Sequence, residues 1–532
     1  MRGAILIVGM SLGFNAMQPA AAETAAEGDA RFDIYELRVI GNTKLSEVDV
    51  DRVLYPFLGS QRTLKDVEAA RAALEALYHE RGYGTVFVDI PEQSVDGGLV
   101  RLRVSESSLG RVTVAGTRYF SNRQILAALP AARVGETPQL PALQAQIGAL
   151  NSQTRDRQIT PILKAGAVPG TVDLNLRVDD HLPLHVSLEL NNQYTVDTQP
   201  LRAIAGFSYD NLFGRLDSLS GQFQTSPQDT QQVQVWAVSY ATHVFDDKTR
   251  LTGFYYHSNS SVATLGTSSG SLTVLGNGSV AGARLTMPLP AADNSVQAAT
   301  LGADYKDFIQ DIHQPATKSS DAQSFNTPIS YVNLSAGYSG GWRGTRQQST
   351  FSATVNFGVR GLQNSAAEFE DKRYLAPPNY VYLRSNGSLD WPLLKKLTLH
   401  VSYSGQYAVD PIISNEQFSI AGIDGVRGYL EAEAVGDRAI KGMVQLEPPA
   451  WNLFNGRLSV SGYLYFDYGH AGLIDALPGE QASTDLSSAG AGLDLAAFGH
   501  INASLIWSDP LRDGPTTQSG SSRWLFSARS SW

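Results

Sequence analysis

The chain has 532 residues, of which 42% are hydrophobic and 17% charged, with no cysteine and a formal net charge of −10. That length points to several domains, and 49 glycines beside a mean hydropathy near zero argue against a helical membrane protein. The mild acidity carries no clustered Lys/Arg footprint of the kind a nucleic-acid surface needs, so no nucleic-acid partner is expected.

From the N-terminus, Arg2 precedes an apolar run over residues 4–14, followed by Gln18-Pro19-Ala20-Ala21-Ala22. A positive start, a short apolar stretch and small residues at a cleavage point predict a secretory signal peptide over residues 1–22. No later segment approaches the ~18 uninterrupted apolar residues that a membrane helix requires. The mature chain is therefore expected to be exported without a transmembrane helix. Lack of cysteine suits a compartment in which a stray thiol would oxidise.

Two units of like pattern follow. In the first, residues 31–107, a strand over 32–40 ends at Gly41-Asn42 and a short helix starts at Ser46. A longer helix begins at Thr63, with Asp66 three residues on as in a capping box. Leu64, Val67, Ala70, Leu74, Leu77 and Tyr78 recur at helical spacing before the stop at Gly82. Strands over 85–90 and 99–104 close the unit, the second alternating Val100, Leu102 and Val104 with Arg101 and Arg103. The second unit, residues 108–180, repeats the order with a strand over 111–115 and a short helix over 125–129. A longer helix carrying Leu140, Leu143, Ile147 and Leu150 follows, then strands over 159–163 and 171–178. A β-α-α-β-β order occurring twice, each time over about 75 residues, is an internal repeat of two α+β units.

Beyond Asp179-Asp180 no helical periodicity is read, and residues 181–532 run as segment after segment of period-two alternation. In 396–407, Leu397, Leu399, Val401, Tyr403 and Tyr407 alternate with Thr398, His400, Ser402, Ser404 and Gln406. Leu458, Val460, Leu464, Phe466 and Tyr468 alternate in the same way with Ser459, Ser461, Tyr463, Tyr465 and Asp467. Each run has about the ten residues a tilted membrane strand needs. A soluble sandwich also alternates, but its strands are shorter, and a helix-free domain of about 350 residues would be unusual. The polar set of Ser, Thr, Asn, Gln and Gly suits a wet lumen, and Tyr, Phe and Trp at the ends of the apolar set suit interfacial girdles. These features predict an all-β transmembrane β-barrel of about 16 antiparallel strands. The strands are expected to begin near residues 184, 201, 216, 231, 248, 271, 295, 328, 347, 380, 396, 437, 456, 487, 499 and 522, with a long loop over 410–436.

That loop holds Gly425-Val426-Arg427-Gly428-Tyr429, and about forty residues later comes Tyr465-Phe466-Asp467-Tyr468-Gly469. A buried arginine is costly unless a carboxylate waits for it. Asp467 falls on the polar, lumen-facing parity of its strand, while Phe466 and Tyr468 fall on the lipid-facing one. Arg427 can then reach Asp467 through a charge-assisted, bidentate bond. The glycines beside Arg427 let the backbone approach the wall closely, and Tyr429 can pack on the inner face.

Two β-α-α-β-β units, a barrel, these two motifs and Glu416-Gln417-Phe418-Ser419-Ile420-Ala421-Gly422 running into the first resemble one family. It is the outer-membrane transporter of two-partner secretion, the TpsB type of the hemolysin secretion/activation family within the POTRA-containing insertase superfamily. The resemblance covers essentially the whole mature chain. It implies that the two units are POTRA domains in the periplasm of a Gram-negative bacterium and that the barrel lies in the cell outer membrane. It implies that the Arg427 loop folds back into the barrel, its tip held by Asp467. It also implies type Vb export of a specific large client, adhesin- or hemolysin-like and of long β-helical form, driven by the client's folding outside.

Exposed sheet edges in the two units invite an extended client segment to add as a strand. Thr85, Val86 and Val88 in the first unit, and Ile159 and Ile162 in the second, lie on the candidate edges. Trp532 closes the final strand, with Trp524 and Phe526 on its lipid-facing parity and Leu525, Ser527 and Arg529 facing in. Trp532 and Phe526 resemble the assembly signal of outer-membrane barrels, implying the barrel assembly machinery as a partner in biogenesis. A monomeric barrel in contact with outer-membrane lipid is expected. Many relatives carry an N-terminal plug helix. Here only about ten residues separate Glu23 from Phe32, too few for a helix crossing a ~25 Å band, so none is expected.

No enzyme, cofactor or metal is expected. The nine histidines lack spacing such as H-E-x-x-H, and neither a G-x-S-x-G elbow nor a Walker A loop appears. Gly337-Tyr338-Ser339-Gly340-Gly341 lacks the spacing of a nucleophile turn and reads as a strand-end turn; His400 reads as a neutral lumen group. Three alternatives stay open. The Arg427–Asp467 pair could simply stabilise the barrel. The chain could be an outer-membrane assembly insertase, although the main insertases carry more units. It could be a passive porin or surface-binding barrel, which leaves the two units without purpose.

Overall fold

The computed structural model describes residues 31–532 except 96, 197, 247, 261, 268–269, 293, 310, 315–322, 363–364 and 395–396. The expected signal peptide, and the question of a helix ahead of Phe32, lie outside the described residues. The chain divides into a first unit ending at Asp179 and a second running from Asp180 to Trp532, the latter also taking Arg118–Phe120.

In the first unit the two repeats each build a three-stranded sheet under two helices. Leu99–Glu106 lies at the centre of the first sheet, parallel to Glu36–Ile40 and antiparallel to Val86–Asp89. Ser46 caps the helix Glu47–Leu54, and Thr63 with Asp66 closes the capping box that starts Leu64–Glu80. The apolar stripe Val67, Ala70, Leu74 and Tyr78 meets Val86, Val88, Val100, Leu102 and Val104 in one core. The strand expected over 32–40 is broken at Tyr35. Phe32–Ile34 instead pairs with Gly59–Arg62, whose Gly-Ser-Gln-Arg sequence has no apolar alternation to reveal it.

In the second repeat Thr171–Asp180 lies between Ser108–Ala115 and Arg157–Ala165. Beneath Asn122–Ala127 and Leu140–Ser152 the core gathers Ile125, Leu143, Ile147, Leu174 and Leu176. The repeats meet where the Gly82 carbonyl accepts a 2.9 Å hydrogen bond from the Leu140 N–H. Gly82 has φ +90°, and a Cβ there would lie 2.8 Å from Pro141 Cδ, so this junction requires glycine.

The second unit is a closed antiparallel barrel. Among the described residues seventeen segments form its sheet; Arg438–Glu447 and Trp451–Leu453 share one position because both pair with Leu458–Gly472, leaving sixteen. The break between them falls at Pro448-Pro449, which can donate no ladder bonds. Closure comes from Leu184–Asn191 pairing with Arg523–Ser531. Trp532 adds a last rung, donating its N–H to the Val186 carbonyl at 2.9 Å and accepting from Val186 N–H at 3.1 Å. Alternation sets the two faces. Leu464, Phe466 and Tyr468 are outside and exposed, whereas Tyr463, Tyr465 and Asp467 are inside and buried. Trp524 and Trp532 are exposed while Leu525 is buried, as their parity requires.

Three expectations are corrected. The strand expected at 271 begins at Gly278, because Val262–Thr267 and Gly270–Leu275 pair only with each other in a separate hairpin, set off at Gly276 with φ +124°. Gly337–Gly341 is not a turn but lies within the strand Ile329–Arg343. A helix, Ala366–Lys372, interrupts the β pattern after Gln348–Gly358; its capping box, Ser365 with Glu368, is readable in the sequence but lacks an apolar stripe long enough to register.

Leu102 is fully buried at the centre of the first repeat. Leu102→Ala is expected to destabilise that repeat by about 2–5 kcal/mol through lost transfer energy and a residual cavity. Denaturant unfolding of the purified chain should show the soluble-unit transition shifted and the heat-modifiability of the barrel unchanged.

Candidate functional site

The strand Leu397–Ala408 and the strand Arg438–Glu447 are joined by a long loop that turns back into the lumen. Phe418–Ser419 and Val435–Gly436 pair as its stem. Its tip is a tight turn in which Val426 N–H donates to Ile420 O at 2.8 Å and Gly425 N–H to Gly422 O at 3.0 Å. A Cβ on Gly425 would sit 2.3 Å from Ile420 O, so the turn tolerates no side chain there.

The turn presents Arg427 to Asp467. Arg427 Nε lies 2.7 Å from Asp467 Oδ2, Nη2 lies 2.8 Å from Oδ1, and the Arg427 backbone N–H donates to Oδ2 at 3.1 Å. Arg427 is 5% exposed and Asp467 0%. The guanidinium carbon stands 3.4 Å from the Tyr465 ring centroid and 5.9 Å from that of Tyr463, both on the lumen face of the same strand as Asp467. Burial pushes the guanidinium's pKa down, but the bonds and charge of Asp467 more than offset it and hold it above its ordinary value. Three donated hydrogen bonds and two aromatic faces thus stand in for water around a buried charge.

Gly469 completes the strand motif. It shares the lumen-facing parity, and a Cβ there would lie 2.9 Å from Val426 Cγ2 and 3.1 Å from Ile420 Cβ; its bare backbone is what lets the turn seat. Gly428 has φ +96° and faces Ser508 Oγ at 2.6 Å from its would-be Cβ. The Tyr429 hydroxyl lies within hydrogen-bonding distance of the carbonyls of Ser487 (3.0 Å) and Arg512 (2.7 Å). Beyond the tip, Glu433 accepts from the backbone N–H groups of Thr516 and Thr517, and Glu431 N–H donates to Tyr194 O.

Glu416, which opens the segment running into the Arg427 turn, carries no sign of a role in the sequence itself. It is completely buried at the base of the loop. Lys306 Nζ (2.5 Å) and the Tyr331 hydroxyl bind one carboxylate oxygen, the Tyr382 hydroxyl (2.6 Å) the other. Burial pushes its pKa up, and the Lys306 and Arg384 charges with these hydrogen bonds more than offset that, holding it below the usual carboxylate range. A glutamate in a polar loop carries no signal of such burial, because the partners of its carboxylate come from three other strands. His400 is not a bare lumen group: its ring nitrogens face Asp390 at 2.6 Å and Glu447 at 3.1 Å.

The candidate client edges are rims of their sheets, but their side chains mostly point inward. Val86 (0%), Val88 (3%) and Ile159 (2%) belong to the cores, Thr85 is buried and Ile162 half-buried; Phe87 is the exposed apolar side chain beside them. The rims are also occupied. Glu75 accepts from Val88 N–H at 3.1 Å, Arg71 donates to Val88 O at 3.2 Å, and His79 Nε2 lies 3.2 Å from Val86 O. In the second repeat the Asn151 amide takes both Ile159 N–H (2.8 Å) and Ile159 O (3.0 Å).

Comparison with known proteins gives the lineage. The pattern of the haemolysin secretion/activation protein ShlB/FhaC/HecB matches residues 170–495. The chain belongs to that family. A ShlB-type POTRA domain matches residues 32–107, the first repeat. The outer membrane transporter CdiB of Dickeya dadantii is 25% identical over 82% of this chain and 75% of its own length. The heme/hemopexin transporter protein HuxB of Haemophilus influenzae is 21% identical over 93% and 86%. Among solved structures, CdiB from Escherichia coli superposes with a TM-score of 0.61 at 16% identity, covering 96% of this chain and 93% of that one. BamA from Haemophilus ducreyi lacking POTRA domains 1–3 superposes with 0.56 at 14%, covering 94% and 100%. These two likenesses show a shared fold. The family consists of secretion channels, and the chain is an outer-membrane protein transporter whose POTRA region lies in the periplasm.

Gly469→Val would force the added side chain into Val426 and Ile420, at a cost of about 1–3 kcal/mol. The tip should lift from the wall, seen as faster tryptic cleavage after Arg427 in the assembled barrel.

Proposed function

We propose that the chain exports one dedicated, large client polypeptide from the periplasm to the cell surface. Residues 31–107 and 108–180 act as POTRA units that receive the client as an extended segment. The 181–532 barrel is its conduit, and the Arg427–Asp467 pair is the latch of the loop that occludes it. The client is read as adhesin- or hemolysin-like and as folding outside, since no nucleotide site is read from the chain.

One observation carries the reading: a buried bidentate ion pair joins a loop that is no part of the barrel's strand ladder to the wall, while the wall closes by its own ladder of hydrogen bonds. A pair that served only to hold the barrel together would not need to sit on a segment outside that ladder. Breaking a buried pair by removing one partner costs about 3–5 kcal/mol, enough to change the loop's resting position decisively. A charged contact also has a second home in a wet lumen, where water and client amides can take over its bonds.

The soluble rims support capture by exchange. An incoming strand would replace the side chains of Arg71, Glu75, His79 and Asn151 bond for bond, so its gain would be modest and its sequence demand small.

Arg427→Ala is expected to abolish secretion while the barrel still inserts and remains heat-modifiable. Normal secretion by that variant removes the latch. Deleting the chain should cost the cell one surface protein, the product of the adjacent open reading frame. Loss of many outer-membrane barrels instead would make it an assembly insertase.

A further inference from the structure

The loop that carries Arg427 is held at its stem as well as its tip, and the second hold comes from a different loop. The segment between Gln348–Gly358 and Val381–Leu394 contains the helix Ala366–Lys372. Its Phe369 is 1% exposed, seated edge-on against Tyr331 with ring centroids 5.5 Å apart and beside Tyr380 at 6.0 Å. Tyr331 and Tyr382 are also the residues whose hydroxyls hold Glu416. The underside of the helix and the base of the long loop therefore share one aromatic platform.

The C-terminal end of the helix is tied more directly. Arg373 Nη1 and Nη2 each lie 2.8 Å from an oxygen of Asp437, the last loop residue before Arg438–Glu447. The same guanidinium donates to Ile412 O at 3.2 Å on the opposite leg of the loop, and to Ile474 O at 3.0 Å on the next loop along. Asp437 is fully buried and accepts further bonds from Gln417 Nε2 (3.1 Å) and Ile474 N–H (2.8 Å). One guanidinium thus staples both legs of the stem.

We propose that Arg373 and Asp437 form a second latch, acting with Phe369 to hold the Ala366–Lys372 helix as a lid over the stem. The inference rests on the reading of the Arg427 loop as the occluding element. Its physical basis is leverage. Freeing the tip alone leaves the loop anchored at both legs, and both legs meet one ion pair whose carboxylate, Asp437, is fully buried and whose guanidinium, Arg373, comes from another loop. Displacing the lid removes the Phe369 packing and exposes the pair to water, where its Coulomb attraction falls to a fraction of its buried value. Long loops of such barrels lie on the outer side, so the stem is released from the side at which the client emerges. Arg373 and Asp437 are positioning residues on this account: they set where the loop rests.

Purified full-length protein in planar bilayers, with potassium chloride current as the probe, tests this. Asp437→Asn and Phe369→Ala should each raise the fraction of time spent conducting by at least about tenfold, as expected for loss of a buried partner. Glu370→Ala, exposed on the same helix, should leave the trace unchanged. The swap Arg373→Asp with Asp437→Arg should return the channel toward its quiet state, which a merely misfolded stem would not do. Arg427→Ala is recorded alongside. If it opens the channel while Asp437→Asn and Phe369→Ala stay quiet, the second latch is overturned and the tip latch stands. If all three stay quiet, the loop is not the occluding element and both readings fall together.

Discussion

Charge taken out of water must be met by charge, and that requirement organises the interior of this barrel. Three carboxylates, Glu416, Asp437 and Asp467, are 0% exposed, and each is met by at least one cation and several hydrogen-bond donors. All three either belong to the long loop or bind it. An apolar loop of the same length could also fill a lumen, but it would have no preferred place along the wall. The ion pairs give the loop an address, because misregistration by a few ångströms leaves a buried charge unpartnered.

The glycines mark where this address forces backbones together. Gly469 on the wall and Gly425 in the turn are bare for complementary reasons: one admits the side chains of Ile420 and Val426, the other admits the carbonyl of Ile420. The turn itself explains Gly425, but nothing in its own strand explains Gly469. Gly469 lies within a regular strand, where a β-branched residue would otherwise pack better.

The soluble repeats show a parallel economy at their edges. An unpaired strand edge is a template for aggregation as much as for client capture. Here helix side chains stand in for the missing strand: Arg71, Glu75 and His79 in one repeat, Asn151 in the other. Such a cover satisfies the backbone groups that a neighbouring strand would otherwise take. Pro161, within Arg157–Ala165, blunts the second rim further because it has no N–H to offer.

The wall was legible from residue order because membrane strands obey a strict period of two: one face meets lipid and the other water, so side-chain type reports facing directly. That rule placed Asp467, Tyr463 and Tyr465 inside and Phe466 and Tyr468 outside, and the Val-Arg-Gly-Tyr turn supplied the cation that Asp467 required. The helices of the repeats were legible for the same reason, through caps at Ser46 and Thr63 and a 3.6-residue stripe. What alternation could not reveal was where an alternating segment leaves the wall, as after Ser258, since a free hairpin has the same period as a wall strand. Nor could it reveal the partners of Glu416 and Asp437. Lys306, Tyr331, Arg373 and Tyr382 come from strands and loops tens of residues away, and only closure of the cylinder brings them around one loop. Local pattern fixes which way a side chain faces; which other segment it then meets is a property of the closed fold.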